Sequence, residues 1–211
     1  MTMLRYNEGK NPLSLIPSSF IEAIFNSAHE CSAEPPTKLI WLVGQVLDFG
    51  AKKYDAHNWR KGGSWSSVMN SALRHIFKMV DGKTIDPESN LSEAGHLGCN
   101  IAFLLEFASQ GVGIDDRYVT PAAPEGIEGN PEPSLSWVLQ ELLIFRDGGN
   151  VSHLQTAAWE LARWVEYQQE PTVPAAPPRT PTDGVISTRY GDMPLPFGFP
   201  SFNVDVSHIL N

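Results

Sequence analysis

Apolar positions recur along this chain at helical spacing, and almost nowhere with the alternation of a strand. A first helix is predicted after Pro17, capped by Ser18 or Ser19 and running through FIEAIFNSAHE, residues 20–30, until CSAEPP breaks it. A second is expected from about Thr37 to Lys53, with Leu39, Val43, Val46 and Leu47 on one stripe. The loop YDAHNWRKGGS follows, with its Gly-Gly stop. A third, from about Trp65 to Val80, carries Val68, Ala72, Ile76 and Val80 at i, i+4 spacing and ends at Asp81-Gly82. A fourth, capped by Ser89, is expected to reach about Gln110.

Residues 111–133 then turn rich in Gly, Pro and acid, which reads as a linker. Two further helical patterns follow, Ser134–Arg146 and Ser152–Gln169, and after them a Pro-rich spacer at 171–182. The last stretch, MPLPFGFPSFNVDVSHIL, is too aromatic for a solvated tail and is expected to dock on its own body or on a neighbour. The fold class read from this pattern is all-α: a helical bundle of about four core helices plus a C-terminal helical hairpin and an extended Pro-rich tail. The segments are 1–122, 123–170 and 171–211.

The fourth helix breaks its own pattern. At 100° per residue, Leu97, Ile101, Phe103, Leu104, Leu105 and Phe107 share one arc, and Glu93, His96 and Asn100 fall inside it. Burying a carboxylate, an imidazole and an amide costs several kcal/mol unless they are paired or bind an ion. Either the start of the helix emerges into solvent or closes a satisfied polar network, or the helix floors a cleft. The loop before it adds Asp86 and Glu88. Together with Glu93-x-x-His96 these offer ligands for a hard divalent cation, Mg²⁺ or Mn²⁺. Glu88 equally suits a helix N-terminus through the dipole, and Asp86 a turn. On the third helix, His75 sits at the edge of the apolar stripe between Arg74 and Lys78. It is read as a core histidine or as part of the same chemistry.

Charge sharpens this picture. The chain carries a formal −9, which argues against general nucleic-acid binding. Up to Ala122 there are 11 Lys/Arg against 13 Asp/Glu, and from Ala123 onward 4 against 11. Within the balanced first half, DFGAKKYDAHNWRKG gathers Lys52, Lys53, Arg60 and Lys61 around Tyr54, Asn58 and Trp59. Lysines at a helix C-terminus also complement its dipole. A cation cluster nonetheless suits phosphate, an aromatic face a base, and an amide a base or ribose edge. Opposite an acidic, metal-binding stripe, that corner has the parts a nucleoside triphosphate requires. Two cysteines, Cys31 and Cys99, make no disulfide framework and favour a reduced compartment. With no long apolar run in the sequence, a cytoplasmic location without membrane is expected.

The segments GKNPLSLIP, GAKKYDAHNWRKG, ALRHIFK, DGKTIDPES and EAGHLGCNIAFLLE, spread over Gly9 to Phe107, resemble the phage-associated dATP/dGTP diphosphohydrolase family, N-terminal domain. The resemblance implies a helical, metal-dependent enzyme allied to the MazG-like pyrophosphohydrolases, which removes pyrophosphate from purine deoxynucleotides and shapes a phage's nucleotide pool. The MazG-like hallmark is a pair of acidic motifs, E-E-x-x-E and E-x-x-D; here Glu93-x-x-His96 is the nearest echo of the second. The expected mechanism has Asp86, Glu93 and Glu88 holding Mg²⁺ on the phosphates, with His96 as ligand or base. Arg74, Lys53 and Arg60 neutralise phosphate charge, and Trp59 or Tyr54 stacks the base. His75 joins the catalytic set, while Lys52, Lys61, Asn58 and Asn100 join the substrate contacts. A homo-oligomer is expected. The rival reading is a phage protein that sequesters a nucleotide without turning it over. A blander one is an assembly protein whose tail makes contacts.

Overall fold

A computed structural model describes residues 9–118 and 132–168 of the chain, all within one compact unit spanning Met1–Thr172. Among the described residues there are six α-helices and no strand. They are α1 (Ser18–Glu30), α2 (Lys38–Tyr54), α3 (Trp65–Val80), α4 (Glu93–Gln110), α5 (Leu135–Arg146) and α6 (Val151–Tyr167). Short 3₁₀ turns occupy Leu13–Leu15 and Asn58–Lys61. The spacer and apolar tail expected at 171–211 lie outside the described residues.

The buried arc of α4 sets the architecture. Leu97, Ile101 and Leu104 have no exposed surface, and around them pack α1, α2, α3 and α6. Phe20 and Ile24 come from α1, Leu39 and Val43 from α2, Met69 and Ile76 from α3. Each such side chain contributes roughly 1.5–3 kcal/mol on burial, so this cluster is the main source of stability. The helical hairpin α5–α6 shares that core: α6 lies on α1, α2 and α4, and α5 on α3. Its Leu142, Phe145, Leu154 and Leu161 belong to the same buried cluster.

Two glycines let α4 approach α2. A Cβ on Gly95 would stand 2.9 Å from the Leu42 carbonyl oxygen, and one on Gly98 2.6 Å from Val43 Cγ2. Backbone-to-backbone proximity of this kind brings the first turn of α4 under the end of α2, where the basic loop begins.

The start of α4 and the buried face of α3 differ from the sequence expectation. Ser89 does not cap α4; Ser92 occupies that position, and α4 starts at Glu93. Residues 86–91 instead fold into a turn in which Asp86 Oδ2 accepts from the Ser89 amide and hydroxyl, Asn90 adopts a left-handed φ of 56°, and the Asp86 amide donates to the Leu91 carbonyl. Val80, expected on the α3 stripe, is exposed; the buried stripe is Trp65, Met69, Ala72, Ile76 and Met79. That stripe follows the i, i+3, i+4 path that faces both α4 and α5, which the simpler i, i+4 reading misses.

Candidate functional site

Helices α3 and α4 meet along their polar edges. His75 and Lys78, three residues apart, share a face of α3, and Glu93 and His96 share a face of α4. The turn at 86–91 brings Asp86 between them. Glu93 has no exposed surface. His75 Nδ1 lies 2.5 Å from its Oε2, and Lys78 Nζ donates to its Oε1 at 2.9 Å. The same ammonium donates to Asp86 Oδ1 at 3.0 Å. The His75 and His96 rings stack, with centroids 4.9 Å apart and planes at 12°. Ser89 Oγ bridges Asp86 Oδ2 at 3.1 Å and His96 Nε2 at 2.7 Å.

Electrostatics follows from these contacts. Burial opposes charge on Asp86, but the Lys78 ammonium and the Ser89 amide and hydroxyl outweigh it and hold the carboxyl well below its usual range. Lys78 is shifted up, chiefly by its bond to Glu93. His96 is shifted down, first by burial and then by the neighbouring His75, although Asp86 and Glu93 pull the other way. Burial and His75 thus favour its neutral form.

His75, Asp86 and Glu93 each offer one donor atom, and those atoms lie within 4.8 Å of one another. One imidazole and two carboxylates, with a second imidazole stacked beside them, fit a divalent cation. The nitrogen in the set suits Mn²⁺ better than Mg²⁺, which prefers oxygen alone. Glu88, expected among the ligands, is not in this cluster. Its carboxylate is exposed, lines the adjoining cavity and is bonded to Lys53 Nζ at 2.6 Å.

A cavity of about 730 Å³ opens beside the cluster. Its floor is one stripe of α4: His96, Asn100, Phe103 and Phe107. Arg74, His75 and Val68 line it from α3, Val46, Leu47, Lys53 and Tyr54 from α2, and His57, Asn58 and Trp59 from the loop between. This volume lies in the range of small-molecule sites. Asn100 turns its amide back on the helix, donating to the His96 carbonyl at 2.8 Å.

The basic corner divides. Lys53, Tyr54, Asn58 and Trp59 reach the cavity; Lys52, Arg60 and Lys61, all expected as substrate contacts, do not line it. Lys52 pairs with Asp48 along α2, as i, i+4 geometry dictates. Lys61 bonds Asn58 Oδ1, and the Arg60 guanidinium lies over the Trp59 ring. Trp59, expected with Tyr54 as a ring to stack the base, lines the cavity but is largely covered. It is 8% exposed and stacked on Phe103, 5.9 Å between centroids, so it forms a wall. Tyr54, at 56% exposed, is the open ring.

Two participants have only faint sequence signals. Lys78 stands in the α3 pattern as one more surface cation, and only the facing of α3 and α4 turns it onto two carboxylates. His57 holds a left-handed φ of 59°. Its Nδ1 and the Trp59 Nε1 are buried without a hydrogen-bond partner at the cavity's edge. Unpartnered buried polar atoms are uncommon and point to a function or a missing ligand.

Comparison with known proteins places the first half of the chain in a family. Residues 2–117 match the family described as "dATP/dGTP diphosphohydrolase, N-terminal". A protein of Salmonella phage PMBT28 named dATP/dGTP diphosphohydrolase is 27% identical over 124 residues, covering 59% of this chain and 36% of that protein. The aligned part is thus little more than a third of that relative's length. No solved structure matches the chain.

Proposed function

The chain belongs to the dATP/dGTP diphosphohydrolase family through its N-terminal domain, and on that premise we propose that it hydrolyses purine deoxynucleoside triphosphates, dATP or dGTP, to the monophosphate and pyrophosphate with a divalent cation. The observation that carries this reading is the adjacency of the His75, Asp86 and Glu93 cluster to a cavity that also holds Arg74, Lys53 and the apolar wall of Trp59 and Phe103.

Asp86, Glu93 and His75 hold the ion in this scheme, Mn²⁺ or Mg²⁺. The chemistry a bound divalent ion supplies is neutralisation of phosphoryl charge and activation of a water. Arg74, at the cavity, neutralises further phosphate charge, and Lys53 at the mouth contributes through the balance it keeps with Glu88. His96, whose neutral form burial favours, lines the cavity and accepts a proton from the attacking water. Ser89 orients that ring through Nε2. The base lies against Trp59 and Phe103, where the unpartnered Trp59 Nε1 and His57 Nδ1 meet its polar edge.

A second reading, nucleotide binding without turnover, is favoured by one observation: Lys78 already neutralises the carboxylate pair. One experiment separates the two. Purified protein is incubated with dATP, dGTP and their ribose and pyrimidine counterparts, with Mn²⁺, Mg²⁺ or EDTA, and products are resolved by ion-exchange chromatography. The hydrolase reading expects metal-dependent monophosphate and pyrophosphate from the purine deoxynucleotides. Retention of nucleotide in equilibrium dialysis with no product under any metal supports the binder; product in EDTA removes the metal from the mechanism.

A further inference from the structure

Lys78 stands where a divalent ion would have to stand. Its ammonium lies 3.0 Å from Asp86 Oδ1 and 2.9 Å from Glu93 Oε1, one oxygen from each of the two buried carboxylates. His75 takes the other oxygen of Glu93, and Ser89 that of Asp86. The groups facing the ammonium are thus two carboxylates, with the His75 and His96 rings alongside them. With the ammonium removed, two anions would be left in a site with little water, repelling each other at low dielectric. With a divalent ion present, the same two oxygens would be needed by both cations. The stem of Lys78 permits an exchange. Its side chain is 33% exposed, so the ammonium has a route to solvent that leaves His75, Asp86 and Glu93 in position.

We infer that Lys78 is a built-in competitor for the divalent-cation site: it holds Asp86 and Glu93 in ligand geometry while no ion is bound, and it sets the affinity with which an ion enters. This rests on reading the cluster as a cation site. It assigns Lys78 a positioning role distinct from that of the ligands, and it predicts that the protein binds metal more weakly than its donor set alone would.

Mn²⁺ binding followed by the electron paramagnetic resonance signal of the free ion tests this without turnover. The parent is compared with Lys78→Met and Lys78→Gln. Lys38→Met, which removes a distant lysine paired with Glu166, controls for net charge. Both Lys78 variants should bind Mn²⁺ about tenfold or more tightly than the parent, melt at a lower temperature in EDTA, and regain the difference in saturating Mn²⁺. If the Met variant does not fold, the Gln variant, which can still donate a hydrogen bond to one carboxylate, decides. Unchanged or weaker affinity in the Lys78 variants, with binding by the parent intact, overturns the competitor and leaves the cation site standing. An equal gain in Lys38→Met would trace the effect to net charge and also overturn it. Absence of binding by parent and variants alike overturns both readings.

Discussion

Glu93 is the residue on which site and stability meet. Its side chain has no contact with solvent, and both of its oxygens are engaged, by His75 and Lys78. Glu93→Gln is therefore expected to abolish turnover and also to cost about 1–3 kcal/mol of stability, the range for breaking a buried hydrogen-bonded charge contact. Urea denaturation run beside the activity assay checks this; an unchanged midpoint would mean the pair contributes nothing to the fold. Arg74 differs in kind. It is exposed, it lines the cavity, and its Nη2 donates to Ser71 Oγ at 2.7 Å. Arg74→Ala should raise KM for a triphosphate by roughly 10- to 100-fold, the equivalent of one lost charge-assisted contact. Arg60→Ala should change KM little, because that guanidinium lies over Trp59 and outside the cavity. Equal effects of the two substitutions would show that phosphate sits on the loop rather than beside α3.

At the level of elements, the α2–α4 crossing governs the site. Gly95 and Gly98 let the two backbones approach, and that approach puts the end of α2 above the first turn of α4. A methyl group at Gly95 meets the Leu42 carbonyl, a backbone atom that can move only by shifting the helix. Gly95→Ala is expected to cost about 1–3 kcal/mol by overpacking and to reduce nucleotide affinity with it. Thermal melting and nucleotide binding, measured together, check the coupling. A variant that melts lower yet binds as the parent would place the cavity's shape under other control. The α5–α6 joint has its own fastening. Arg117 donates to the Phe145 and Gly149 carbonyls at 2.6 and 3.1 Å and lies over the Phe145 ring, tying the segment after α4 to the hairpin.

Across the whole molecule, one of the two buried carboxylates of the hairpin shapes the response to pH. Glu160 is 7% exposed, and its Oε2 has no hydrogen-bond partner. Burial raises its pKa, with help from the charge of Glu141 and against the pull of Arg163. A carboxyl whose folded pKa lies above the unfolded value of about 4.3 binds its proton more tightly in the folded state. Its contribution is complete below that unfolded value and is lost as pH rises through the folded one. Melting temperature of the parent should therefore carry a declining component as pH rises above about 4.3, and Glu160→Gln should flatten it. Parallel profiles for parent and variant would show that Glu160 ionises as freely folded as unfolded. No helix among the described residues is long and apolar enough to cross a membrane.

The helical content and most helix ends were legible in the sequence, because they depend on local spacing. The 3.6-residue period marks α1 to α6, and Trp65–Val80 is set by Ser64, whose side chain accepts from the Ser67 amide, and by the Asp81-Gly82 stop. The inward direction of Glu93, His96 and Asn100 was legible too, since it follows from angles within one helix. Where α4 begins was not: Ser89 and Ser92 are equally good caps locally, and the bonds from Ser89 to Asp86 and His96 decide between them. The sequence could not choose among Lys52, Lys53, Arg60 and Lys61, since a cation's role depends on which acid or cavity its helix happens to face. Nor could it separate Glu88 from Asp86, two residues apart in one turn. Lys78 is the plainest case. Its spacing from His75 fixes only a shared face of α3, and the packing of α3 on α4, driven by Met69, Ile76, Leu97 and Ile101, is what turns that face onto two buried carboxylates. Local periodicity determined the elements; long-range burial decided which polar groups meet, because charge pairing in a dry site depends on distance through space and not along the chain.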